Sequence, residues 1–274
     1  MRILLGELAP TLGDPAANLA RVRRALGSGA ADLAVFPELY LSGYRLGDRH
    51  RSSALAPDPE GLAGVLAEAK RAVVPVVLGA PVRLPGRPGE VANAAVLARP
   101  DGTVALQVKR YLPTYGPFEE GQVFSPTDRS EPVDLGGRKL GLAICYDTFF
   151  PEVMRELALA GAELLVVISA SPVTSRKLFD RLLPARAIEN AVPVVYVNRV
   201  GVEDGIVFGG GSGAWDVRGD PCPVTVLPYA GEASEERVLL AEVDLDEAER
   251  WRPFRPVLRD LAARPAPSPR PSSA

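Results

Sequence analysis

Two stretches, LLVVIS at 164–169 and VPVVYV at 192–197, are apolar at nearly every position. A strand with one face in water alternates apolar and polar residues, so unbroken runs like these suit strands covered on both faces. Further strands are expected at 3–8, 33–36, 73–80, 92–98, 104–108, 140–145, 211–216 and 237–243. Between them lie amphipathic stretches that read as helices at 15–26, 59–71, 151–159, 175–190 and 245–251. Asp14-Pro15 opens the first of these well, a capping residue followed by proline at the first helical position. Apolar strands alternating with helices argue for α/β layers rather than a β-sandwich or a helical bundle.

The 274 residues show no internal repeat and no domain-sized linker. A single domain over 1–261 is expected, with the Pro/Ser/Ala-rich stretch 262–274 as a disordered tail. With a net charge of −3, the chain lacks the basic footprint of a nucleic-acid binder. The opening apolar run stops at Pro10, too soon for a signal peptide or a membrane span. Two cysteines, Cys145 and Cys222, fit reduced thiols, and the expected location is the cytoplasm.

There is one histidine, His50. Zinc sites built on two or three histidines are therefore excluded, and neither metal nor cofactor is expected. A hydrolase on this chain would take a carboxylate or a lysine as its base in place of the usual histidine. The glycine-rich FGGGSGAWD does not follow a strand in G-x-G-x-x-G form and reads as a turn entering a strand near the pocket. His50, in a charged loop, is expected to be exposed, and Cys222, between two prolines, to be a loop residue without a role.

Three chemically capable residues stand where strands end: Glu38 after LAVFP, Lys109 after TVALQV, and Cys145 after KLGLAI. In open α/β sheets, sites form beyond the carboxyl ends of strands, where all three could converge. Taken singly, each has a plain alternative: a surface carboxylate, a solvated basic pair with Arg110, and an unreactive buried cysteine. The helix opened by Pro151 would favour a thiolate at Cys145 through its N-terminal dipole.

Together they form a pattern. FPELYLSGY around Glu38, KRYLPTYGPFEEGQVF from Lys109 and CYDTFFPEVMRELALAGAELLVV from Cys145 resemble the nitrilase superfamily, as does the later RAIENAVPVVYVNRVG. The resemblance runs from the opening strand to about Trp251. It implies a four-layer α-β-β-α sandwich, assembly into a homodimer or higher homo-oligomer, and cysteine-dependent hydrolysis of C–N bonds in small amides. Glu38 would be the base and Lys109, with the Tyr146 N–H, the oxyanion partner. A second glutamate, Glu120 rather than Glu119, would organise the site.

YLPTYGPFEEGQVFSP and SASPVTSRKLFDRLLPARAIENAVPVVYVNRVG also resemble the glutaminase domain of glutamine-dependent NAD synthetases. On that resemblance Ser171 and Lys177 would clamp a substrate carboxylate. That group carries an acid directly after the nucleophile, where this chain has Tyr146, so free glutamine fits less well than a carboxylate-bearing or neutral amide. The expected reading is a stand-alone amidase, because the 274 residues hold no synthetase domain. Alternatives are an ammonia-supplying subunit, an N-carbamoyl hydrolase, or a catalytically silent binding protein on the same fold. Tyr115, Tyr146 and Phe149, with Tyr44 and Phe118, are candidates to line the pocket.

Overall fold

The computed structural model describes residues 1–263. In chain order the first half contains β1 (Arg2–Glu7), α1 (Pro15–Leu26), β2 (Leu33–Val35), α2 (Arg49–Ser53), α3 (Ala63–Ala72), β3 (Val76–Arg83), β4 (Val91–Ala98) and β5 (Val104–Val108). Next come α4 (Glu120–Val123), β6 (Val133–Leu135), β7 (Arg138–Ile144), a 3-10 turn over Cys145–Phe149, α5 (Pro151–Leu159), β8 (Leu164–Ser169) and α6 (Arg176–Asn190). The last part holds β9 (Val194–Asn198), β10 (Val200–Glu203), β11 (Ile206–Gly209), β12 (Gly213–Trp215), β13 (Val224–Leu227), β14 (Arg237–Glu242), α7 (Glu247–Trp251) and α8 (Val257–Ala262).

The strands form a seven-stranded sheet in the order β13-β14-β1-β2-β3-β4-β5 and a five-stranded sheet in the order β12-β9-β8-β7-β6. A separate β10–β11 hairpin lies beside them. Side chains alternate between the two faces of a strand, so apolarity at every position means both faces are covered. In β1, Ile3 and Leu5 join a core between the sheets, while Leu4 turns outward toward Val22 of α1 and Val65 of α3. In β8, Leu164, Val166 and Ile168 enter the same central core, while Leu165 and Val167 pack outward with Leu157 of α5 and Leu183 of α6. The result is the expected α-β-β-α sandwich: one helix pair, two sheets back to back, a second helix pair.

The five expected helices form, α3 starting at Ala63 rather than 59, while α2, α4 and α8 were not expected. Asp14 accepts from Ala17 N at 3.0 Å, and Pro15 takes the first-turn position. Asn18, Arg21, Val22 and Ala25 are the buried positions of α1, a spacing of three and four that makes one stripe.

Boundaries shift where an apolar run spans two elements. Val73 is 77% exposed at φ 55°, closing α3 in the left-handed conformation, and β3 starts only at Val76 and runs on to Arg83. Ala191 closes α6 the same way at φ 49°, so β9 starts at Val194. The expected tail at 262–274 lies outside the described residues apart from Ala262, which ends α8, and Ala263. The expectation that His50 is exposed is overturned. It is 1% exposed, its Nε2 lies 3.0 Å from Tyr44 O, and its ring packs on Phe124 with centroids 5.0 Å apart. Charged neighbours suggested a solvated loop, but α2 turns the imidazole inward. Among the described residues no helix is long and apolar enough to cross a membrane.

Candidate active site

Glu38 lies three residues beyond β2, past Phe36 and Pro37, and its backbone is pressed against β3. A Cβ on Gly79 would come within 2.2 Å of Leu39 N and 2.5 Å of the Glu38 Cα, so β3 can approach only as glycine. Leu39 then takes a left-handed φ of 47°. Strained backbone of this kind persists where the surrounding packing over-determines it, often at functional sites.

Lys109 follows β5. The β4–β5 register pairs Ala94 with Val108, and one step further Lys109 N donates to Asn93 O at 2.8 Å. The Lys109 side chain is fully buried and donates from Nζ to Glu38 Oε1 at 2.6 Å and to Glu120 Oε1 at 2.6 Å. Asn93 Nδ2 also donates to Glu38 Oε1 at 2.7 Å, and Ala170 N donates to Glu38 Oε2 at 2.8 Å. Glu120 Oε1 accepts from the Tyr44 hydroxyl at 2.5 Å as well. Of the adjacent glutamates, Glu120 is buried in this network and Glu119 is exposed.

Burial pushes Glu120 up to about 7, against the opposing pull of Lys109. Burial alone would lower the Lys109 ammonium, but the Glu120 and Glu38 carboxylates outweigh it and hold the group above the ordinary lysine value. Lys109 is thus a fixed cation. Its two bonds to carboxylates leave one of three N–H donors free.

Cys145 stands just past β7 at φ 48°, half-buried, with Ser169 beside it as the β7–β8 register continues past Ile144 and Ile168. Burial, and after it the Glu38 carboxylate, raises its thiol, while the Lys109 ammonium, and after it the Ser169 hydroxyl, oppose the rise. The anticipated helix-dipole thiolate is therefore corrected. The 3-10 turn over Cys145–Phe149 separates the sulfur from α5, which begins only at Pro151.

The pocket candidates fall into a run of rings. Tyr44 meets Phe118 at 6.2 Å, Phe118 meets Tyr115 at 5.7 Å, Tyr115 meets Tyr146 at 5.5 Å, and Tyr146 meets Phe149 at 5.5 Å. Tyr115 is 53% exposed and Tyr44 is buried, so the run leads from solvent toward Glu120. Ser171 is buried, with its backbone N–H and C=O both bonded to the Asn198 amide. Lys177 is exposed in the first turn of α6, so the two residues present themselves differently, one inside and one outside.

Asn93 and Asp147 escaped the sequence reading. Asn93 had a signal: it is the polar residue in VANAAVLA, a strand buried at all eight positions, and a buried amide requires partners. Asp147 is 1% exposed and accepts from the backbone N–H of Tyr111 at 2.8 Å, Arg110 at 3.2 Å and Ile144 at 3.2 Å.

Residues 5–253 match the family model described as carbon-nitrogen hydrolase. The chain belongs to the carbon–nitrogen hydrolase family. It is an enzyme of that class, and Cys145 occupies the usual nucleophile position of such hydrolases. An (R)-stereoselective amidase of Pseudomonas sp is 39% identical over 250 residues, covering 90% of this chain and 86% of the amidase. The glutamine-dependent NAD(+) synthetase of Thermotoga maritima is 33% identical over 255 residues. That match covers 90% of this chain but 42% of the synthetase, so the hydrolase spans less than half of that relative. An amidase from Nesterenkonia sp. shares the fold with a TM-score of 0.75 at 30% identity, over 95% of this chain and 96% of that one. One variant of that amidase is solved in complex with butyramide, and another shows acrylamide added to its active-site cysteine.

Proposed function

We propose that this hydrolase cleaves the C–N bond of a small amide to the acid and ammonia through a thioester on Cys145. One observation carries the reading: Glu38 is held by Lys109, Asn93 and Ala170 N, yet keeps an acceptor position open beside a thiol whose pKa is raised. A carboxylate offers about four lone-pair sites, so three donors leave one for a proton. A thiol that rests protonated needs a base as it attacks, and in this reading Glu38 is that base.

In the first step the Cys145 sulfur bonds to the amide carbon while its proton passes to Glu38. The tetrahedral oxyanion accepts from the Tyr146 N–H and the free Lys109 N–H, in a buried site where such bonds are strong. Collapse breaks the C–N bond, and the departing nitrogen takes the proton from Glu38. Water then attacks the thioester as Glu38 removes its proton. The second intermediate breaks the C–S bond, and the sulfur regains the proton. Glu120 keeps Lys109 in place throughout.

Likeness to amidases over nearly whole chains supports a stand-alone enzyme. Tyr146, where a glutaminase places an acid, leaves a substrate ammonium without a buried partner and disfavours glutamine. Exposed Leu159 on α5 and Ile188 on α6 support self-association through that face. The test is ammonia release from a panel including butyramide and glutamine, beside Cys145→Ser. Release from a simple amide, lost in the variant, is expected. Silence across the panel, or full activity in Cys145→Ser, overturns the reading.

A further inference from the structure

Asp147 holds two distant segments with one carboxylate. Ile144, whose N–H it accepts, immediately precedes Cys145, and Arg110 and Tyr111, whose N–H groups it also accepts, immediately follow Lys109. The bond to Ile144 is local, three residues back, and alone would be an ordinary turn contact. The bonds to Arg110 and Tyr111 span 37 and 36 residues and join the end of β5 to the end of β7. No side-chain cation pairs with Asp147 among the described residues, and the Arg110 guanidinium goes to Glu156 instead. The far end of the same turn is also clasped: Arg186 of α6, itself buried, donates to Thr148 O at 2.9 Å and Phe149 O at 3.4 Å.

A carboxylate is an acceptor at both oxygens, which this nest of N–H groups demands. An asparagine would turn an NH2 toward one of them, donor against donor. The consequence reaches the reacting groups because Lys109 and Cys145 each neighbour in sequence a residue whose amide Asp147 anchors. The field of Lys109 is one of two influences that hold the Cys145 thiol down.

We propose that Asp147 is a positioning residue that locks the Lys109 strand end to the Cys145 turn, and so sets the distance between ammonium and sulfur. This rests on the amidase reading for its kinetic consequence, but its alkylation readout needs no substrate.

The experiment compares wild type with Asp147→Asn and Asp147→Glu. Asp147→Asn is expected to lower kcat about 100-fold with KM changed less than about threefold, as misplacement of a reacting group by about 1 Å does. The pH midpoint of Cys145 alkylation by iodoacetamide is expected to move upward as the Lys109 field recedes. Asp147→Glu, which keeps both acceptors on a longer arm, should restore part of each. A lower Tm with kcat and the alkylation midpoint unmoved would reduce Asp147 to a fold-stabilising residue and overturn the proposal. Should Asp147→Asn fail to fold, hydrogen exchange on wild type decides: the Tyr111 and Ile144 amides must both be protected, and fast exchange at Tyr111 overturns it. A wild type inert toward every amide would sink the amidase reading while the alkylation midpoints still tested this one.

Discussion

The backbone N–H of Ala170 donates to Glu38 Oε2 at 2.8 Å, although Ala170 follows β8 of the five-stranded sheet and Glu38 lies three residues beyond β2 of the seven-stranded one. The candidate base is thus held by both sheets, with Lys109 and Asn93 on one side and Ala170 on the other. Its orientation depends on how the two sheets pack. This explains why the central apolar core, built from residues such as Leu5, Val35, Leu142 and Val166, bears directly on the chemistry.

Glu38→Gln should remove the base while keeping the side chain's size. One amide oxygen still accepts, but the NH2 must face donors already in place. Amide hydrolysis should fall by at least about 1,000-fold, general-base loss at the upper end of its usual 10²–10⁴ range or beyond. Cys145 should still react with iodoacetamide. Equal loss of hydrolysis and alkylation would point to collapse of the site instead, visible by circular dichroism.

Lys109→Met should leave Glu38 and Glu120 buried without their cation. Breaking a buried pair from one side costs about 3–5 kcal/mol. Urea denaturation at pH 8 should show that loss, and at pH 5 a smaller one, because Glu120, which burial raises to about 7, is then protonated and carries no unpaired charge.

Glu120 gives a signed pH dependence. Its pKa is raised from 4.5 to about 7, with burial the largest cause, so the folded state binds more protons than the unfolded chain between those values. Its contribution to stability is therefore greatest below about pH 4.5 and declines as pH rises through about 7. Glu120→Gln should be less stable overall yet flatter across this window. Denaturation midpoints measured from pH 4.5 to pH 7.5 check it, and parallel curves for both proteins would contradict it.

Asn93→Ala should remove the 2.7 Å bond to Glu38 and the weaker 3.4 Å contact with Glu120. Leaving buried carboxylate oxygens short of a donor costs about 1–3 kcal/mol. Activity should fall through kcat, since Glu38 loses an anchor rather than its charge. A change confined to KM would show that Asn93 touches substrate instead.

Much of the site was readable before any coordinates. Glu38, Lys109 and Cys145 each end an apolar run, and the structure brings the two charged groups into direct contact with the sulfur in their field. Apolar residues at nearly every position of LLVVIS and VPVVYV predicted covered sheets. Several short elements were illegible: β6, β13 and the hairpin strands β10 and β11 have three or four residues each, too few for a period to show. Val73 misled because an apolar residue beside a strand pattern can also close a helix, and only the chain's path decides.

What the sequence determined by itself is the local order: which runs are apolar, where they stop, and which reactive residue follows each, since periods of 2.0 and 3.6 are properties of neighbours. Tertiary structure decided the rest. Lys109 meets Glu38 across 71 residues and Ala170 meets Glu38 across 132, so the burial that raises the Cys145 thiol and the burial of Glu120 beside an exposed Glu119 exist only once distant strand ends are packed together. The physical reason is that a charge's behaviour depends on solvent exclusion and on partners within a few ångströms, and sequence distance carries neither.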